Sequence, residues 1–266
     1  LGIDEYLQAI ERAKQEHQLL RQQQEHQDHA GGHVPSSSKV ERTTYDDGDV
    51  AETARAVRGE LVNKLIDLFR KTSTETWPWF EDRLTYGNAR LSQALIATGA
   101  ATGNTETIAI GLKSLEWLAS IQRTDDDLFD PIGTNGSYVR GETRAHFDQQ
   151  PIEACSMVAA CLEAHRVTSK KEWVDRARTA FHWFLGQNRL GYWLYDATTG
   201  GCRDGLHPSR VNENQGAEST VSFLTALVEM RLADRAIGVG IESRAPATAS
   251  SASSASSASS ASTVEN

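Results

Sequence analysis

Apolar residues recur at intervals of three and four along most of this chain, the spacing that gives one apolar face to an α-helix. The clearest stripe lies in the segment 173–185, which carries tryptophan, valine, alanine, phenylalanine and leucine on one side. Comparable patterns predict helices over about 3–20, 50–71, 91–98, 105–119, 151–167, 173–185 and 217–228. No segment between them alternates convincingly between apolar and polar residues. The pattern therefore predicts an all-α fold.

The connections between these helices alternate in length. Long polar loops cover 72–88, 123–150 and 188–216, and short turns separate the intervening helices. Because consecutive antiparallel helices place every second connection at the same end, the three long loops should share one face. A weak repeat relates SLEWLASIQ at 114–122 to AFHWFLGQN at 180–188. We therefore expect an (α/α) toroid or barrel of helical hairpins, as an incomplete version of a six-hairpin barrel.

Composition divides the chain into four regions. Residues 1–29 form a predicted helix with a Gln/His-rich end, residues 30–49 a flexible linker, residues 50–236 the helical-hairpin domain, and residues 237–266 a disordered Ala/Ser-rich tail. The four histidines His17, His26, His29 and His33 could bind a metal, although a solvated polar helix end is the simpler interpretation. The chain begins at Leu1, and together with the incomplete barrel this suggests a segment of something longer.

Charge and composition exclude some functions. The net charge of −9, without a basic stripe, argues against nucleic-acid binding. No apolar run reaches the length of about 18 residues that a membrane span needs. Three cysteines cannot all pair with one another, and two of them fall in one apolar helix, which suits free thiols in a reducing compartment. The expected location is therefore the cytoplasm, with no membrane partner.

The face shared by the long loops carries the side chains that sugar recognition requires. Aromatic rings pack on pyranose rings, and amides and carboxylates hydrogen-bond to hydroxyl groups. The substrate-binding candidates are Trp77, Trp79, Glu81, Tyr86, Asn88, Gln149, Gln150, Asp204, Asn212, Asn214 and Gln215. Cleavage of a glycosidic bond also needs two carboxyl groups, one protonated and one ionised. The candidates for these roles are Asp148, Glu153, Glu218 and Asp82.

Each of these residues has a structural alternative. Asp148 or Asn88 could cap a helix, and Glu153 or Glu218 could complement a helix dipole from the first turn. Three loops delivering the same residue types to one face are harder to explain by capping. Trp117, Trp173 and Trp183 fall on apolar helix faces and are predicted to lie in the core.

We predict no metal and no cofactor. Asp125, Asp126 and Asp127 contain a DxD sequence without the strand–helix surroundings of a sugar-nucleotide transferase, so a solvated turn is the simpler interpretation. Cys202 and His207 hint at zinc, but the chain offers no convincing further ligands. No dinucleotide-binding or phosphate-binding glycine motif occurs.

Four motifs resemble a known group of proteins. They are WPWFEDRLTYGNARL at 77–91, PIGTNGSYVRG at 131–141, FDQQPIEA at 147–154, and TTGGCRDGL at 198–206 followed by NENQGAES at 212–219. The region 50–233 resembles the helical (α/α) barrel domain of bacterial proteins labelled glycosyltransferases, which is similar to six-hairpin glycosidase-like toroids. The resemblance implies a carbohydrate ligand and a fused or associated glycosyltransferase. Two positions depart from that pattern: Gly87 stands where an acidic residue is expected, and Ser137 where an aromatic is usual.

Three hypotheses follow. The first is a carbohydrate-active domain that cleaves or transfers glycosyl units with paired carboxylates. The second is a non-catalytic glycan-binding module accompanying a glycosyltransferase, which the departure at Gly87 favours. The third, a helical toroid that binds protein partners, fits the polar and aromatic shared face least well.

Overall fold

The computed structural model describes residues 2–28 and 47–242. The predicted all-α class of helical hairpins is confirmed. The helices are α1 (Gly2–Asp28), α2 (Asp47–Thr72), α3 (Ala89–Thr102), α4 (Thr105–Ile121), α5 (Pro151–Thr168), α6 (Lys171–His182) and α7 (Ala217–Glu242). Helix α2 begins inside the region predicted as linker, and α7 ends inside the predicted tail. Most of the predicted linker and tail, with His29 and His33, lies outside the described residues.

The hairpin of α3 and α4 shows how the sequence specifies close helix packing. Helix α3 ends at Gly103, whose φ of 69° is left-handed and suits glycine. The side chain of Asn104 then accepts a 3.0 Å hydrogen bond from the Thr107 N–H and caps α4. Asn104 is therefore the N-cap residue of α4. Glycines at 99 and 111 let the helices approach, since a Cβ on Gly111 would lie 2.7 Å from the Ile96 side chain.

The helices form two layers. Helix α5 packs against both α3 and α7, while α4 packs on α3 and α6 packs on α5. Because α3, α5 and α7 alternate with the other helices, they run parallel and begin at the same end of the molecule. Helix α5 has buried residues on all sides, which explains its run of small and apolar residues. The N-termini of three neighbouring helices therefore meet at one end.

The long loops meet at that same end, as the alternation of connection lengths predicts. Four short strands occur among the described residues, although the sequence pattern did not predict them: β1 (Arg83–Leu84), β2 (Tyr138–Val139), β3 (Gly205–Leu206) and β4 (Val211–Asn212). Strands β1 and β2 pair antiparallel and join the first loop to the second. An isolated bridge between Gln149 and Leu206 joins the second loop to the third. Pairs this short carry too little periodicity to be read from sequence.

The core lies between the helix layers and extends under the loops. Trp183 is fully buried, Trp173 is 3% exposed, and Trp117 is partly buried against the core. All three cysteines are buried and free. No helix within the described ranges is long and apolar enough to cross a membrane.

Candidate functional site

Glu153 lies where the N-termini of the parallel helices meet. It stands in the first turn of α5 and is only 3% exposed. One carboxylate oxygen accepts a hydrogen bond from the Gly87 N–H, and the other accepts one from Asn88 Nδ2 at 3.1 Å. The Asn88 side chain also accepts a 3.0 Å bond from the Thr85 N–H. The turn that precedes α3 therefore folds around the carboxyl group of Glu153.

The pKa of the Glu153 carboxyl group lies close to neutral pH. Burial raises its pKa from about 4.5 to about 7, and the hydrogen bonds from Gly87 and Asn88 oppose this shift only in part. No ion pair to Glu153 occurs among the described residues. A carboxyl group with a pKa near 7 can both donate and accept a proton at neutral pH, which is the property of a general acid or base.

Glu218 joins this group from the first turn of α7. Its Oε2 accepts a 2.7 Å hydrogen bond from the hydroxyl group of Tyr86, and both side chains are exposed. Partial burial raises the pKa of Tyr86 to about 12, helped by the hydrogen bond and charge of Glu218 and the charge of Glu153. The segment 86–88 thus touches both glutamates, and the structure brings together four of the predicted residues from three helix N-termini.

Asp148 forms a separate pair. Its Oδ1 lies within hydrogen-bonding distance of His207 Nδ1, and both side chains are partly exposed. The backbone of Asp148 has a φ of 56°, a left-handed conformation that aspartate tolerates better than most residues. This pair lies at the bridge between Gln149 and Leu206, which joins the second loop to the third. Sequence reasoning noted His207 only as a zinc candidate and missed this partnership.

The predicted binding residues of the third loop mainly hold that loop together. Asp204 accepts hydrogen bonds from the Gly216 N–H at 2.7 Å and from the Asn214 side chain. Burial would raise the pKa of Asp204, but hydrogen bonds from Ser219, Asn214 and Gly216 outweigh it and lower the pKa. Asp204 thereby fixes the entry into α7, one turn from Glu218.

Gln215 and Asn212 also make contacts within this loop. Gln215 accepts a 2.7 Å bond from the Thr199 hydroxyl and donates a 3.1 Å bond to Asp196. Asn212 accepts a 3.2 Å bond from the Asn214 N–H. Asn214 is exposed, and Asn212 and Gln215 are partly exposed.

Gln149 belongs to a buried network centred on Asp130. Asp130 is fully buried and accepts bonds from Gln149 Nε2 at 2.7 Å and from Arg189 Nε at 2.6 Å. Arg144 and His146 contact its other oxygen. Gln149 in turn accepts a 2.8 Å bond from Trp183 Nε1 and has no exposed surface. Its polar groups are therefore engaged within the protein.

The remaining candidates lie at the first loop and at the start of α5. The side chains of Trp77 and Trp79 are 4% and 0% exposed, so both rings belong to the core and neither presents a face to a sugar, contrary to the expectation from their loop positions. Glu81 and Asp82 are exposed, and Asp82 forms a 3.3 Å ion pair with Arg140. Gln150 is the N-cap residue of α5, without a capping bond from its side chain.

Two further features of the loops are the arginines of the Asp130 network and the exposed aromatics of the third loop. The Asp130 network joins arginines far apart in sequence, and nothing local in the chain marks them as partners. Trp193 and Tyr192 are 56% and 47% exposed, and they are the aromatics that the third loop presents to solvent. No group of three or more His, Cys, Asp or Glu side chains arranged to hold a metal ion occurs in the part of the chain that the structure describes.

Comparisons with known proteins find three matching chains among solved structures. No protein-family model matches the chain, and no curated protein sequence matches it. Among solved structures, the chain is similar to an inactive variant of an alpha-1,6-mannanase of Salegentibacter sp. HEL1_6, in complex with alpha-1,6-mannotriose. The sequence identity is 15% and the TM-score is 0.42. The match covers 71% of this chain and 60% of that chain, so this chain spans about three fifths of the length of its relative.

Proposed function

We propose that this chain is a carbohydrate-active domain that cleaves or transfers glycosyl units at the site of Glu153 and Glu218. The observation that carries the proposal is the buried Glu153, whose pKa is raised to about 7. It lies at the junction of three helix N-termini, where the exposed Glu218 is held by Tyr86. Glycosidic bond cleavage needs one protonated and one ionised carboxyl group. Glu153 serves as the acid, and Glu218 as the ionised partner.

The environment of each glutamate supports its role. Burial raises the pKa of Glu153 to about 7, so a large fraction of it is protonated at neutral pH and can protonate the leaving oxygen. Glu218 is exposed and accepts a hydrogen bond from Tyr86, which orients its carboxylate. Asp148 and Asp82 remain further candidates. Asp148 is paired with His207, and Asp82 is exposed at the edge of the loop face.

A second candidate function is glycan binding without catalysis, beside an accompanying glycosyltransferase. The observation that favours it is Gly87, which stands where an acidic residue is expected and donates its N–H to Glu153. A glycine there removes one carboxylate from the cluster. The three free, buried cysteines suit a reducing compartment, and under either function we place the domain in the cytoplasm.

Substitution of the two glutamates tests the catalytic proposal. The change Glu153→Gln keeps the shape of the neutral acid but removes the proton that a carboxyl group can transfer. It should lower turnover of an accepted glycan about 100-fold or more. Glu218→Gln should have an effect of similar size. Release of reducing sugar, or transfer to an acceptor sugar, measures both. Asp148→Asn and Asp82→Asn rank the remaining carboxylates, and Glu172→Gln on the exposed surface of α6 is the matched control.

The two candidate functions give different results. Turnover that is unchanged in every carboxylate variant would rule out the catalytic proposal. Glycan binding by the wild-type protein without any product would instead support the binding module.

A further inference from the structure

A second concave site lies beside the loops that follow α4 and α6. It is a cavity of about 510 Å³, lined by residues from 121–128, 144–147 and 189–190. None of the carboxylates proposed for catalysis lines it. Its volume falls within the range of about 300–1,000 Å³ that small-molecule sites occupy.

The walls of this cavity are held in place by contacts behind them. The buried Asp130 accepts bonds from Arg144 and from both Nε and Nη2 of Arg189, which fixes two lining side chains. The turn 124–128 is closed by a 3.0 Å bond from the Leu128 N–H to the Thr124 hydroxyl. These contacts hold Arg144, Arg189 and the turn 124–128 in place around the cavity.

Only some of the charged side chains that line the cavity have an oppositely charged partner in an ion pair. Asp130 balances charge on Arg144 and Arg189, and Asp127 pairs with Arg123 at 2.7 Å. The side chains of Asp125 and Asp126 make no hydrogen bond or ion pair with other described residues. The cavity thus presents two carboxylates without hydrogen bonds, and the charge of Asp125 acts on the neighbouring Arg189.

An unused donor lies among the same residues. Arg144 Nε is buried and has no hydrogen-bond partner within the described ranges. The carboxylates of Asp125 and Asp126 are therefore the available acceptors, and Leu128, Phe147 and Leu190 add apolar surface.

Charge balance selects the class of ligand. An anion would face the free carboxylates of Asp125 and Asp126, and a cation would face three guanidinium groups. A neutral polyhydroxylated ligand can donate to the carboxylates, accept from the arginines and place its C–H faces on the apolar residues. We propose that this cavity is a second binding site for a neutral sugar unit, distinct from the site of Glu153 and Glu218.

The inference rests on the proposed function only in naming carbohydrate as the ligand. A glycan bound at both sites would be held at two points, so that affinity for a longer chain exceeds that of either site alone. The second site would then position a polymer whose reacting linkage lies at Glu153.

Titration with neutral gluco- and manno-oligosaccharides, followed by backbone amide NMR, tests the inference. The double variant Asp125→Asn, Asp126→Asn removes both free carboxylates without breaking a contact in the fold. It should weaken sugar binding at this cavity by about tenfold or more, since each lost bond to a charged group has about that effect. The matched control is Glu60→Gln, Asp67→Asn on α2, which removes the same charge from an exposed surface and should bind as the wild type does.

The positions of the residues whose amide signals shift distinguish a failure of the second site from a failure of the proposed function. Sugar-dependent shifts at Tyr86 and Asn88, with none at Asp125 and Asp126, would overturn the second site and leave the proposed function standing. Shifts at Asp125 and Asp126 that are lost in the double variant support the second site, even if Tyr86 and Asn88 do not respond and the proposed function fails. Tighter binding of inorganic phosphate or of calcium than of any sugar at this cavity would overturn the neutral-ligand assignment.

Discussion

Two buried carboxyl groups, Asp130 and Glu153, differ in their charge states. Asp130 is fully buried, and Glu153 is 3% exposed. Burial would raise the pKa of Asp130, but the hydrogen bond from Arg189 and the charges of Arg144 and Arg189 outweigh it, so its pKa is lowered. Glu153 has a glycine N–H and an amide as partners, and burial raises its pKa to about 7.

The difference shows that the partners, and not burial, decide the charge state. A buried carboxylate with two guanidinium partners is a fixed structural ion, because protonation would leave the charges of the mostly buried Arg144 and the partly exposed Arg189 unbalanced. A buried carboxyl group with neutral donors can gain or lose its proton near pH 7 at little cost. One carboxyl group therefore holds the loops together, and the other is available for proton transfer.

The largest effect is expected from breaking the Asp130 network. Asp130→Ala leaves Arg144 and Arg189 without their buried counter-ion and should lower the free energy of unfolding by about 3–5 kcal/mol. Urea unfolding measures it. The control Asp127→Asn breaks the exposed pair with Arg123 and should cost under about 1 kcal/mol. Equal losses in the two variants would show that Asp130 is not the buried anchor described here.

The next effect concerns the pH dependence caused by Glu153. Because its pKa is raised on folding, the folded protein binds a proton that the unfolded chain releases, so stability is present below about pH 4.5 and is lost as pH rises through about 7. We expect the wild type to lose roughly 3 kcal/mol relative to Glu153→Gln over that interval. Unfolding free energies measured across the pH series test it, with Glu172→Gln as control. A constant difference between wild type and variant would contradict the raised pKa.

These two carboxyl groups also show what the sequence can and cannot reveal. Helix periodicity predicts the hairpins, and the alternation of connection lengths predicts that Tyr86, Glu153 and Glu218 lie at one end. The sequence cannot show that Arg144 and Arg189 converge on Asp130, because that depends on how separate loops pack. Nor does it distinguish the buried rings of Trp77 and Trp79 from exposed ones, since a tryptophan in a loop can fold back onto the core.

The smallest effect comes from restoring a carboxylate at position 87. Gly87 has a φ of 59°, and an added Cβ would lie no closer than 3.9 Å to Arg90, so a side chain fits with a backbone strain of about 1 kcal/mol. The change Gly87→Asp places a negative charge beside Glu153 and should raise the pKa of Glu153 further. The pH at which stability is lost should then move upward relative to Gly87→Asn, which has the same shape without the charge. Coincident pH profiles for the two variants would show that the charge at this position does not reach Glu153.

The hydrogen bonds of Gln149 determine how the second and third loops can separate. Its backbone N–H and carbonyl group bond to Leu206, and its side chain bonds to Trp183 and Asp130. Gly205 permits this approach, because a Cβ there would lie 2.5 Å from the carbonyl oxygen of Gln149. Separating the second and third loops thus means breaking bonds that reach into the helical core. These loops are therefore expected to melt together with the hairpins as one cooperative unit, and not to open one at a time.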